Sequence, residues 1–144
     1  MSQTLTITEG DPSGAAATGW VTINGSPQSV TFNPCQGQYP YYCPQTINEG
    51  GMVSVTVDGQ TFTGGYGGST SGAQIASDLA SQMNYSGSPI SASASGTTVS
   101  ITSTIRGAAT NYPLSTSYAY DTTDFSSPAF TAEPSGATLA GGTN

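Results

Sequence analysis

The chain has 144 residues, one basic side chain (Arg106) against eight acidic ones, no histidine, and an apolar share of 35%. So little positive charge argues against nucleic acid, whose phosphates need several Lys or Arg, and against an electrostatic membrane anchor. Without histidine, Ser-His-Asp and Cys-His catalysis and His-ligated zinc are excluded together, since one absent side chain would have served as both base and ligand.

Only 6% of residues are charged while 43 are Ser or Thr, so hydration rests on hydroxyls and amides, as on a secreted or cell-wall protein. The length suits one domain. The low apolar share predicts a thin core, as between two sheets, and the alternating runs of β-branched and aromatic residues argue against disorder.

Residues 3–9 alternate, Leu5 and Ile7 on one face and Thr4, Thr6 and Thr8 on the other, which predicts a strand. The Gly- and Ala-rich stretch over residues 11–19 reads as a linker. Met1 runs directly into this strand with no basic start and no long apolar run; an exported form is expected to be a mature chain or a repeat of a longer one. The body is expected over residues 20–144, opening with Trp20, Val21, Thr22 and Ile23. Asn24-Gly25 follows as a hairpin turn, with residues 28–33 returning and Val30 and Phe32 on one face.

Cys35 and Cys43 then flank a loop carrying Tyr39, Tyr41 and Tyr42. Their spacing does not fit a CxxC redox or zinc motif, and a local disulfide is the expectation, contributing roughly 2–3 kcal/mol in an oxidising compartment; two free buried thiols are the alternative. Residues 52–57 alternate with Val53, Val55 and Val57 inward, turn at Asp58-Gly59, and return over 60–63 with Phe62 inward. Residues 64–68 read as a glycine-rich loop.

A helix is predicted over residues 71–84, capped by Ser69, Thr70 or Ser71. Ile75, Leu79 and Met83 lie on one stripe beside Ala76 and Ala80, with Gln74, Asp78 and Gln82 toward water. Residues 89–94 and 98–105 form a further predicted hairpin. A turn over 106–111, a strand over 113–120 bearing Leu114, Tyr118 and Tyr120, and short strands at 128–131 and 137–140 complete the pattern. Many short strands with one helix predict a mainly β fold, a β-sandwich of Ig-like or jelly-roll-like kind with one short inserted helix and a detached N-terminal strand (residues 1–10).

The order Val-Ser-Val-Thr-Val-Asp-Gly, a Gly/Ser loop, Ala-Ser-Asp-Leu-Ala, Ala-Ser-Gly-Thr-Thr-Val-Ser-Ile-Thr-Ser and Arg-Gly-Ala-Ala-Thr-Asn-Tyr-Pro-Leu-Ser spans residues 53–115. It resembles the β-β-α-β-β units in tandem repeats of large bacterial surface proteins, including those with YD (Rhs-type) repeats, and similar units of phage tail proteins. The resemblance extends to residues 17–19, 33–35 and 136–143 but not to residues 3–9. It implies a structural role and carries over no catalytic residue.

The remaining chemistry is sparse. Glycoside hydrolysis needs two carboxylates flanking one bond, but Asp11, Asp58 and Asp78 read as linker, turn and helix-surface residues, and Glu49 and Glu133 as loop residues beside Gly or Pro. Asp121 and Asp124 are a weak Ca²⁺ candidate that reads better as an Asx-rich turn. Residues 64–68 lack the Lys and spacing of a phosphate loop. Tyr39, Tyr41 and Tyr42 are candidate glycan contacts, set against a simple packing role. Asn24 and Asn84 begin N-glycosylation sequons.

Residues 3–9 carry the mechanistic expectation, because a lone strand with an apolar face is not stable by itself. Exchanged between copies, it makes a head-to-tail, non-closing assembly similar in principle to chaperone–usher pili, with Leu5 and Ile7 as anchors. The expected protein is a non-enzymatic extracellular fibre subunit without cofactor or metal. Its partner is a second copy of itself, and nucleic acid and membrane are excluded. The alternatives are a carbohydrate-binding repeat of a surface adhesin and a phage tail or virion domain.

Overall fold

Alternating apolar residues build the strands of the computed structural model, which describes residues 14–35 and 43–144. In chain order these are β1 (Thr18–Gly25), β2 (Ser29–Phe32), β3 (Gln45–Asn48), β4 (Gly51–Val57), β5 (Gln60–Tyr66), α1 (Gly72–Met83), β6 (Ile90–Ser95), β7 (Thr98–Ser103), a 3-10 turn (Ala108–Thr110), β8 (Leu114–Tyr120) and β9 (Phe130–Pro134). The fold is mainly β and sandwich-like with one short helix, as the patterning predicts. Its sheets run β6-β7-β1-β9 and β5-β4-β8, and β2-β3 forms a separate two-stranded ribbon.

One core lies between the two larger sheets. Val21, Ile23, Val99, Ile101, Ile90 and Phe130 come from the first, and Val53, Val55, Val57, Phe62, Tyr66 and Leu114 from the second. The edges β9 and β8 adjoin, joined by the Thr116 hydroxyl donating to Ala132 O at 2.8 Å. The opposite side is closed by α1, which packs on β5, β6, β1 and β7 and buries Ile75, Ala76, Leu79, Ala80 and Met83. The stripe read from the sequence is therefore the buried face, and it spans both sheets. Ser71 caps the helix, accepting from Gln74 N while the Gln74 side chain accepts from Ser71 N, a reciprocal capping box.

Carboxamides of α1 and its C-cap also occupy one position on each of the two sheet edges that the helix borders. Gln82, expected to face water, donates to Thr63 O at 2.6 Å and accepts from Thr63 N at 3.2 Å on β5. Asn84 donates to Ala92 O at 2.7 Å and accepts from Ala92 N at 2.8 Å on β6. Each mimics one residue of a neighbouring strand, occupying backbone groups that would otherwise invite another chain.

Two turn readings diverge. Asp58 (φ 53°) and Gly59 (φ 77°) form the expected tight turn between β4 and β5. Asn24-Gly25 does not turn into β2. Instead β1 continues through both residues, paired with Thr131 and Phe130 of β9. The chain passes so close to β9 that a Cβ on Gly25 (φ 118°) would lie 1.9 Å from Ala129 O, so the glycine serves backbone approach rather than a hairpin. Residues 64–66, expected in a loop, extend β5 instead. A Cβ on Gly64 would meet Ile75 Cγ2 at 3.1 Å, so its bare backbone lets the helix sit close against the strand.

The domain begins earlier than residue 20. Of the expected linker, residues 14–19 belong to the body: Ala15 and Thr143 exchange backbone bonds of 3.0 and 3.1 Å, Ala17 is wholly buried, and β1 starts at Thr18. Residues 3–9, with Leu5 and Ile7, lie outside the described residues. The expected strand at 137–140 reduces to bridges at Thr138 and Ala140 around a buried Leu139.

Candidate interaction site

The ribbon begins where β1 ends. β2 and β3 pair antiparallel from Ser29↔Asn48 to Phe32↔Gln45, and every residue is exposed except the half-buried Ile47. The bond from Glu49 N to Gln28 O sets the phase of the ladder. Val30/Ile47 and Phe32/Gln45 thus bond to each other, while the N–H and C=O groups of Ser29, Thr31, Thr46 and Asn48 point outward. No backbone hydrogen bond to these outward groups occurs among the described residues. One face of the ribbon carries Val30 (37% exposed), Phe32 (41%) and Ile47; the other carries Ser29, Thr31, Thr46 and Asn48, with the Thr31 and Thr46 hydroxyls 2.9 Å apart.

Both ends of the ribbon are fixed. At the far end Cys35 and Cys43 form the expected disulfide, with Cα atoms 5.7 Å apart. Asn33 Oδ1 there accepts from Cys35 N at 3.1 Å and Cys43 N at 3.0 Å. Tyr39, Tyr41 and Tyr42 lie outside the described residues. At the base, Glu49 is 1% exposed, a placement its Gly-flanked sequence context did not reveal. Its carboxyl group accepts from Gln28 Nε2 and from the Tyr66 hydroxyl at 3.4 Å, and Gln28 also donates to Ser127 O at 2.7 Å. Burial first, and then the neighbouring Glu49 charge, hold the Tyr66 phenol above its ordinary value and keep it a proton donor. Tyr66 in turn packs edge-to-face on Phe130, with ring centres 5.0 Å apart. A polar clamp thus ties the ribbon to the core.

Compared with known proteins, the chain matches no family model, no curated protein and no solved structure.

The other sequence-derived candidates are scattered. Asn84 already donates its amide nitrogen to Ala92 O, so a glycan there would share the nitrogen that caps the edge of β6. Asn24 is exposed on β1 opposite Thr131. Asp121 Oδ1 accepts from Thr123 N at 2.9 Å, an Asx turn. The neighbouring Asp124 carboxyl is pushed upward by lost hydration and then by its hydrogen bond to, and charge repulsion from, Asp121. Among the described residues no group of three His, Cys, Asp or Glu is placed to hold a metal. No helix there is long and apolar enough to cross a membrane.

Both large sheets turn hydroxyls outward. Thr18, Thr102 and Ser91 align across β1, β7 and β6, as do Trp20, Ser100 and Ser93, and then Thr22, Thr98 and Ser95. Trp20, 54% exposed, stands in the middle row. Alternation identified Trp20 as the first strand residue of the body, but only the register shows its hydroxyl surroundings.

Proposed function

We propose that this protein is a non-enzymatic structural subunit of an extracellular bacterial fibre or surface assembly, joined head to tail through its N-terminal strand. The observation that carries this reading is the polarity of the body. The chain enters beside its own last residues, where Ala15 pairs with Thr143. The ribbon leaves from the opposite end of β1, beside Phe130 and Tyr66. A segment ahead of Gly14 therefore meets the ribbon end of a second copy in a heterologous contact, which does not close and so propagates. The disulfide and the hydroxyl-rich outer faces agree with an oxidising exterior. Electron microscopy and light scattering on the full chain and on a variant lacking residues 1–11 test this. Concentration-dependent filaments from the full chain alone are expected; monomers from both overturn it.

Trp20 supports a second reading, a carbohydrate-binding surface module. An exposed indole among hydroxyl rows offers a flat stacking surface for sugar rings. Trp20 is the single tryptophan of the chain, so its fluorescence reports directly. Soluble glucan, chitin or mannan oligosaccharides are expected to shift it under this reading, and titrations of all three that leave it unchanged remove it.

A further inference from the structure

We propose that the acceptor of the N-terminal strand is the outer edge of β2: residues 3–9 of one copy add to the β2–β3 ribbon of the next, making it three-stranded. This inference rests on the head-to-tail reading and names its contact surface.

Elimination and complementarity both point there. Each outer edge of the sandwich is interrupted: β9 adjoins β8, Gln82 occupies the Thr63 position in the middle of β5, and Asn84 occupies the Ala92 position in the middle of β6. The ribbon, by contrast, turns the N–H and C=O groups of Ser29 and Thr31 outward along β2. Two-stranded ribbons are marginal in water and gain stability from a third strand. Leu5 and Ile7 are two residues apart, as are Val30 and Phe32. An added strand in phase lays Leu5 and Ile7 on the exposed face of Val30, Phe32 and Ile47, and Thr4, Thr6 and Thr8 beside the hydroxyls of Ser29, Thr31 and Thr46. The β3 edge offers a poorer match, since Gln45 and Glu49 flank Ile47 on that face.

Reach selects a second copy over the chain's own ribbon. The peptide steps between Glu9 and Gly14 span at most about 18 Å, whereas β1 alone separates the entry point from the ribbon base by about 23 Å.

The test uses full-length chains. Thr31→Pro removes an outward N–H from the β2 edge, while Thr46→Pro does the same on the β3 edge; both lose the Thr31–Thr46 hydroxyl contact, so each controls for the other's local damage. A third variant, Leu5→Asp with Ile7→Asp, spoils the strand. By light scattering, Thr31→Pro and the Leu5/Ile7 variant are each expected to be monomeric. Mixed, they are expected to give a one-to-one heterodimer, because one retains a strand and the other an edge, and Thr46→Pro is expected to polymerise like the parent. If Thr31→Pro polymerises while the Leu5/Ile7 variant does not, strand exchange stands and the β2 assignment is overturned. Loss of assembly in Thr46→Pro, or no heterodimer in the mixture, also overturns it. A parent chain that stays monomeric at every concentration overturns the head-to-tail reading and this inference with it.

Discussion

Phe130→Ala is expected to lower the unfolding free energy by about 3–5 kcal/mol, the cost of deleting a large buried aromatic and leaving a cavity. Phe130 is wholly buried at the start of β9, beside Gly25 of β1 and edge-to-face with Tyr66 of β5. Its ring therefore fills the space between the two sheets at the ribbon end of the sandwich. Removing it takes away both the transfer free energy of the ring and the wall against which Tyr66 stands. For a domain whose total stability is on the order of 5–15 kcal/mol, the loss is a large fraction. Phe32→Ala is the matched comparison. That ring is 41% exposed on the ribbon, so the same change there is expected to cost about 1 kcal/mol or less. Urea unfolding of both variants measures the difference. Equal midpoints would mean that Phe130 does not hold the sheets together.

Tyr66→Phe is expected to cost about 1–2 kcal/mol, because it withdraws one of the donors to a carboxyl group that is almost fully buried. It also carries a pH signature. The folded-state value of Tyr66 is raised by burial and then by Glu49, above an unfolded value near 10. The folded protein therefore holds this proton more tightly. The associated stability is fully present below about pH 10 and is lost as the pH rises through the folded value, since the unfolded state then binds fewer protons. Tyr112, raised by burial and then by Asp58, contributes in the same window. The parent is thus expected to lose stability above pH 10 more steeply than Tyr66→Phe, which keeps only the Tyr112 share. Urea midpoints from pH 7 to 11.5 give both slopes, and parallel curves would refute the role of the clamp.

Much of the local structure is legible from neighbouring residues alone. The alternation of Val53, Val55 and Val57, the Asp58-Gly59 turn, the Ser71 cap with its Ile75, Leu79 and Met83 stripe, and the Cys35–Cys43 bridge each depend on groups a few positions apart. Short-range sterics and periodicity decide such features. The ribbon was half legible: Val30 and Phe32 announced a strand, but Ile47, the only apolar residue of β3, was too little to announce its partner.

Which strands pair, and which faces meet water, lay beyond that reach. Any strand satisfies the hydrogen bonds of β1, and it is the core that selects β7 and β9, because those partners bring Val99, Ile101 and Phe130 onto the face of Val21 and Ile23. The same choice leaves β2 to pair with β3, which exposes the shared face of Val30 and Phe32 and buries Glu49 under Tyr66. The sequence by itself determined most of the elements, the disulfide and the class of fold, since these follow from local geometry. Only the tertiary structure decided the partners of β1, the carboxamide caps on the sheet edges and the opposition of entry point and ribbon, since these arise from competition among distant segments for one core.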